Sequence, residues 1–293
     1  MDATAPIPPK HSFFQHGRGT THYQRVGADA RPVVVLVSGA TLPMGIWEPL
    51  VGPLVAVGFQ ILRYDLPGRG YTLLDGLGAD FQAHLEQLEQ LLSGLGLVGP
   101  VHMLGVASGA LVVAEFAARN PSRVSHVCLI APDGAATRFT LTERVLSLPL
   151  IGRLLFRSSA QRTLLARVPR YSSRTHVQAF IRDQLLFSLS SPGFHEGVLA
   201  TVRTFPLHQG EEVYRRLART GIPTCVVWGA QDPITPPRAA DLMRTLFGKD
   251  AVQVLEGVGH LPFAEEPGAV AALVAKRFRA GSTATPGAPT PCR

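Results

Sequence analysis

Six short apolar runs punctuate the chain: VVVLV at 33–37, FQILRY at 59–64, VHMLGV at 101–106, VSHVCLI at 124–130, TCVVW at 224–228 and VQVL at 252–255. They are apolar at nearly every position rather than at alternate ones, which predicts strands buried on both faces. Between them the pattern changes to helical spacing. Phe81, Leu85, Leu88, Leu92 and Leu95 form one stripe, the mark of a peripheral amphipathic helix. Residues 108–119 are apolar almost all round except Glu115, so a buried central helix is expected there. Strands alternating with helices predict an α/β fold, a mostly parallel sheet covered on both faces. Upstream, FFQHGRGTTHYQRVG (13–27) reads as a hairpin turning near Gly17 to Gly19, an antiparallel start to that sheet.

One interval breaks the rhythm. From 135 to 206 the spacing predicts only helices, over 140–156, 161–168, 176–189 and 194–205, a stretch too long for a simple connection. It reads as a helical cap inserted into a core formed by 1–134 and 207–280. The end, GSTATPGAPTPCR (281–293), is poor in bulky apolar residues and is expected to be a disordered tail.

Composition supports a large buried core, with 46% of 293 residues apolar and 17% charged. No basic patch leads into a long apolar run, so neither a signal peptide nor a membrane span is expected. Cys128 and Cys225 fall in strand runs and Cys292 in the tail, the pattern of a reduced, cytoplasmic protein. The net charge of +7 is local: 135–205 holds ten arginines against Glu143, Asp183 and Glu196, and the rest balances. No aromatic-interleaved basic stripe accompanies it, which argues against a nucleic-acid partner.

Candidate chemistry lies at the strand ends. LGVASGALV carries Gly105, Ala107 and Gly109 in a strand-to-helix turn, where close backbone approach leaves no room for Cβ atoms at the glycines. VVWGAQDPITPP places Asp232 just after a strand, and LEGVGHLPFAEEP places His260 after the last. VSGATLPMGIW opens a loop with Ser38, Gly39 and Ala40, and YDLPGRGYT (64–72) forms a second glycine-rich loop. Over 13–278 these stretches resemble the α/β-hydrolase fold with an inserted cap, as in bacterial esterases, lactonases, epoxide hydrolases and carbon–carbon bond hydrolases. The order nucleophile, acid, histidine is the hydrolase order. The resemblance implies a dyad in which Asp232 orients His260, and an oxyanion hole from the backbone N–H groups of Ala40 and Ser108. Asp133, in IAPDG, occupies the alternative acid position of some relatives and reads here as a turn or cap-entry residue.

Ala107 stands where the resemblance implies a nucleophile, and a methyl group cannot attack a carbonyl. Four readings follow. His260 and Asp232 serve as a general base without a seryl intermediate, in lyase, cyclase or water-activating chemistry that needs no metal or organic cofactor. A serine hydrolase has had its nucleophile replaced. A displaced hydroxyl substitutes, Ser38 rather than Ser108, which reads as a helix N-cap. Or the fold binds a ligand without catalysis. The first is the leading expectation, on a small, mostly apolar carbonyl compound. Leu146, Leu148, Phe156, Phe180, Leu186 and Phe187 of the cap favour an apolar pocket. The arginines either form a solvated face or meet an anionic or carrier-bound substrate. The assembly is expected to be a monomer or homodimer.

Overall fold

In the computed structural model, which describes residues 12–16, 19–73, 78–135, 141–235 and 237–280, all six apolar runs become strands of one sheet. They are β3 (Val33–Val37), β4 (Gln60–Tyr64), β5 (Val101–Val106), β6 (Val124–Ile130), β7 (Thr224–Gly229) and β8 (Val252–Leu255), preceded by β1 (Ser12–His16) and β2 (Gly19–Val26). The order is β1-β2-β4-β3-β5-β6-β7-β8. The first two strands pair antiparallel, β2 runs antiparallel to β4, and every other neighbour is parallel. The expected hairpin is therefore present in its strands, while residues 17 and 18 of its turn lie outside the described residues. Val34 to Val37, Met103, Leu104 and Val127 to Ile130 are fully buried, as strands covered on both faces must be.

Helices α1 (Glu48–Ala56), α2 (Phe81–Gly94) and α3 (Ser108–Arg119) follow the early strands. Asp80 caps α2 by accepting the Ala83 N–H at 2.7 Å. The near-continuous apolar surface of α3 is buried, and its exception, Glu115, is neutralised by Arg119 at 2.7 Å and Arg216 at 2.6 Å.

After β6 come α4 (Leu141–Ser147), α5 (Pro149–Ala166), α6 (Thr175–Ser190) and α7 (Phe194–Thr204); then α8 (Gly210–Arg219) leads back to β7. The helix expected over 140–156 is broken, because Leu148 before Pro149 is extended, with φ −69° and ψ 128°. The break expected near 157–160 is absent. Ser158 and Ser159 donate to the Leu155 carbonyl at 3.0 and 2.6 Å, and Phe156, Ala160 and Leu164 continue a buried face through the polar stretch. Helices α9 (Ala240–Phe247), α10 (Pro262–Glu265) and α11 (Pro267–Ala280) complete the chain, with α11 packed on α1. The expected tail lies outside the described residues. Among those described, no helix is long and apolar enough to cross a membrane.

Candidate active site

The turn from β5 into α3 is tightly built. A Cβ on Gly105 would lie 2.5 Å from the Gly109 carbonyl oxygen, and one on Gly109 would lie 2.4 Å from those of Val37 and Ser38. Between them Ala107 adopts φ 50° and ψ −120°, a conformation that costs a non-glycine residue about 1–3 kcal/mol. Neighbouring strand ends hold it there: its N–H donates to the Ile130 carbonyl at 3.0 Å, and its carbonyl accepts from the Asp133 N–H at 3.2 Å. Ser108 is not the N-cap expected from sequence. Ala107 takes that position, and Ser108 is the first helical residue, with a buried Oγ that has no hydrogen-bond partner among the described residues. As the first residue of α3, Ser108 has no intrahelical acceptor for its N–H.

Asp232 leaves β7 and His260 follows β8, and the two side chains meet. His260 Nδ1 lies 2.8 Å from Asp232 Oδ2, both groups buried. The carboxylate is saturated with donors: the Thr235 hydroxyl at 2.6 Å on the same oxygen, and the N–H groups of Ile234 and Thr235 at 2.8 and 3.0 Å on the other. Burial alone would push the Asp232 carboxyl up, but His260, Thr235 and Ile234 together hold it below the ordinary carboxylate value. With Nδ1 engaged by Asp232, Nε2 is the ring atom left for chemistry. The segment before α6 reaches the same residue, since the Tyr171 carbonyl accepts the backbone N–H of His260 at 2.9 Å and the two rings lie 5.6 Å apart.

The loop after β3 lies against the turn, for a Cβ built on Gly39 would be 3.4 Å from that of Ala107. Ser38 is fully buried and its hydroxyl turns to the Pro43 carbonyl at 3.4 Å rather than to His260. Ala40 is held by a residue that the sequence did not single out. Arg69, completely buried in the second glycine-rich loop, donates from Nε to the Ala40 carbonyl at 2.8 Å, from one terminal nitrogen to Pro67 O at 2.6 Å, and from the other to Thr201 of α7 at 2.8 Å. Burial lowers its pKa to about 9. Arg69 thus ties α7 to the loop after β3. The same glycine-rich loop is anchored by Asp65, which accepts from Met44 N–H at 2.7 Å and Tyr71 N–H at 3.1 Å.

Asp133 contributes a third carboxyl to this edge. It is pushed up to about 6, first by burial and further by Asp232 and Glu143, with His260 opposing. Two of the cap residues expected to favour a pocket do not face inward, for Leu148 and Leu186 are solvent-exposed. A cleft of about 570 Å³ lies at the opposite, N-terminal ends of the central strands, between Phe59, His102, His126 and Phe278. Thr235 was also missed in the sequence, although a hydroxyl three residues beyond an acid at a strand end is a local signal for a carboxylate-bonding turn.

An eight-stranded, largely parallel sheet with a tight strand-to-helix turn and a buried acid–histidine pair at its strand ends defines an α/β-hydrolase architecture. The model of the Alpha/beta hydrolase family matches residues 34–273, and the chain belongs to that family of enzymes. It is similar to pimeloyl-[acyl-carrier protein] methyl ester esterase of Neisseria meningitidis serogroup A, with 25% identity over 84% of this chain and 76% of that protein. Human monoacylglycerol lipase ABHD6 is 24% identical over 83% of this chain and 74% of its own length. Among solved structures, the enol-lactonase from Burkholderia xenovorans LB400 superposes with a TM-score of 0.75 and 19% identity, covering 92% of this chain and 100% of that one.

Proposed function

We propose that this protein acts on a small, mostly apolar carbonyl compound by general-base chemistry without a seryl intermediate. The observations that support the reading are the buried His260–Asp232 pair and the strained turn at residue 107, whose side chain is only a methyl group. In this scheme His260 Nε2 takes a proton from a substrate C–H or from water. Asp232 stabilises the resulting imidazolium, and the proton returns to the leaving atom or product carbon. The N–H groups of Ala40 and Ser108 receive the negative charge that develops on the carbonyl oxygen. Backbone donors do not depend on side-chain identity, so the loss of a serine and the presence of Ser38 leave this function available. The names of the relatives support an ester or related acyl carbonyl as the substrate class, one on an acyl-carrier protein and one on a glycerol.

The test compares the protein with its Ala107→Ser variant on aryl esters and with a fluorophosphonate probe, and follows deuterium uptake at the α-carbon of short acyl thioesters in heavy water. Exchange or conversion lost in His260→Ala and insensitive to the probe supports the reading. Probe labelling of the unaltered protein overturns it in favour of a substitute hydroxyl. Esterase activity gained only with serine, and no conversion without it, overturns it in favour of a silenced hydrolase.

A further inference from the structure

Helix α5 is apolar on two opposite sides. Its inner face, Gly152, Phe156, Ala160 and Leu164, is buried against the rest of the cap. At 100° per residue, Leu150, Leu154 and Ile151 project from the other side, and Leu155 flanks them. Leu150 is 83% exposed, Leu154 73%, Ile151 55% and Leu155 45%. Leu141 and Leu148 of the α4 segment add to the same region of the chain, at 77% and 46%. Seven of the ten exposed large apolar side chains of the described protein fall between Leu141 and Leu186. Scattered single leucines on a surface need no explanation, but a clustered set opposite a well-buried face does.

The helix that carries this patch has charge of one sign. The sequence of α5, PLIGRLLFRSSAQRTLLA, contains three arginines and no acid. Arg153 and Arg157 each lie three residues beyond an exposed leucine, Leu150 and Leu154, and so stand beside them on the helix surface. Arg153 pairs with Glu196 at 3.3 Å, whereas Arg144, Arg157 and Arg162 are exposed and have no carboxylate within ion-pair distance among the described residues.

We propose that the outer face of α5 docks this protein on an anionic lipid bilayer, with the leucines entering the acyl boundary and the arginines meeting phosphate headgroups. A second copy of the chain fits less well, because a self-facing contact sets arginine against arginine with no acid on the helix to answer it. The apolar side chains stand out from a convex helix rather than lining a groove, which suits a fluid surface. The chain runs from α5 through Val168–Arg170 directly to Tyr171, whose carbonyl holds His260, so docking on this side brings the lipid phase to the outside of the cap that contacts the dyad.

Co-sedimentation of the full chain with phosphatidylcholine vesicles, with and without phosphatidylglycerol, tests this. The protein is expected to sediment only with the anionic vesicles and to be released as salt is raised. Leu150→Ser and Leu154→Ser are each expected to lower partitioning about tenfold, because each withdraws a buried aliphatic group. Arg157→Gln and Arg162→Gln are expected to lower it about fivefold each. All four side chains are exposed, so melting curves stay unchanged and binding losses are not folding losses. No binding to anionic vesicles, or binding indifferent to both leucines, overturns the proposal. So does a leucine-dependent dimer in sedimentation velocity, or leucine-dependent capture of a purified acidic carrier protein without vesicle binding. None of these outcomes depends on the nature of the reaction at His260.

Discussion

Asp232 Oδ2 receives both the Nδ1–H of His260, at 2.8 Å, and the hydroxyl of Thr235, at 2.6 Å, so one carboxylate oxygen fixes the imidazole tautomer while a neighbour fixes the carboxylate. Asp232→Asn reverses the donor at this contact. The amide N–H donates to Nδ1, the proton moves to Nε2, and the ring can no longer act as a base there. The expected loss is about 10³–10⁴-fold in turnover with the fold retained. Nitrogen-15 NMR of the imidazole reports the tautomer directly, and an unchanged Nδ1–H signal would contradict this account. Because the Asp232 carboxyl is held below its ordinary value, its contribution to stability is complete above about pH 4 and is lost as pH falls through the lowered value.

Ala107→Gly tests the strain at the turn. The present backbone, with φ 50°, costs about 1–3 kcal/mol for alanine. Glycine removes that cost but loses about 0.5–1 kcal/mol more chain entropy on folding. The difference favours glycine by about 1 kcal/mol, readable as a higher urea midpoint with an unchanged slope. A lower midpoint would mean that the turn stores no strain.

Much of this site is legible in the sequence because its parts are local. The Gly105 and Gly109 spacing, the strand ends before Asp232 and His260, and the apolar runs each announce themselves within about ten residues. Arg69 does not. Its role depends on Ala40 from one loop and Thr201 from a helix more than a hundred residues away, and nothing near 69 in sequence encodes those acceptors. The α4–α5 break and the continuity of α5 are hidden for a related reason. Apolar spacing runs across Pro149 and lapses at Ser158 and Ser159, whereas the helix starts at Pro149 and tertiary burial of Phe156 and Ala160 carries it past the two serines. Leu148 and Leu186 show the same limit, since apolar character does not say which side of a cap a residue faces.

Gly109→Ala sets propensity against packing. Within the first turn of α3, alanine is worth about 1 kcal/mol over glycine by helix propensity alone. The added Cβ, however, would sit 2.4 Å from two backbone carbonyl oxygens, those of Val37 and Ser38, neither of which can rotate away. Displacing β3 from α3 is expected to cost about 3 kcal/mol, so the variant is less stable by denaturant titration despite the better helix former. A neutral or stabilised variant would show that the strand–helix contact is looser than this.

Acid sensitivity follows from histidines buried as neutral rings. His84 donates from Nδ1 to the Asp80 carbonyl at 2.8 Å and its Nε2 is enclosed, so burial, followed by the charge of Arg69, lowers its pKa to about 3. His102, stacked on Phe278 at 4.7 Å, is lowered to about 4 by burial and then by His126. Both rings take up protons near their ordinary value of 6.5 only when the chain unfolds, so each lowers stability as pH falls below that value, until its folded pKa is reached. Asp133 works in the opposite sense: its folded pKa of about 6 makes the native state bind the extra proton, which offsets one histidine between about pH 4 and 6. The balance of these three groups is a loss of about 1.4 kcal/mol per pH unit in that window. Urea midpoints between pH 7 and 5 are therefore expected to fall, and to fall less in His84→Gln, whose neutral amide retains a donor for Asp80. In Asp133→Asn the dependence is expected to steepen, since the compensating proton is gone. A flat profile in the unaltered protein, or one that Asp133→Asn also flattens, would be inconsistent with neutral buried rings at these positions.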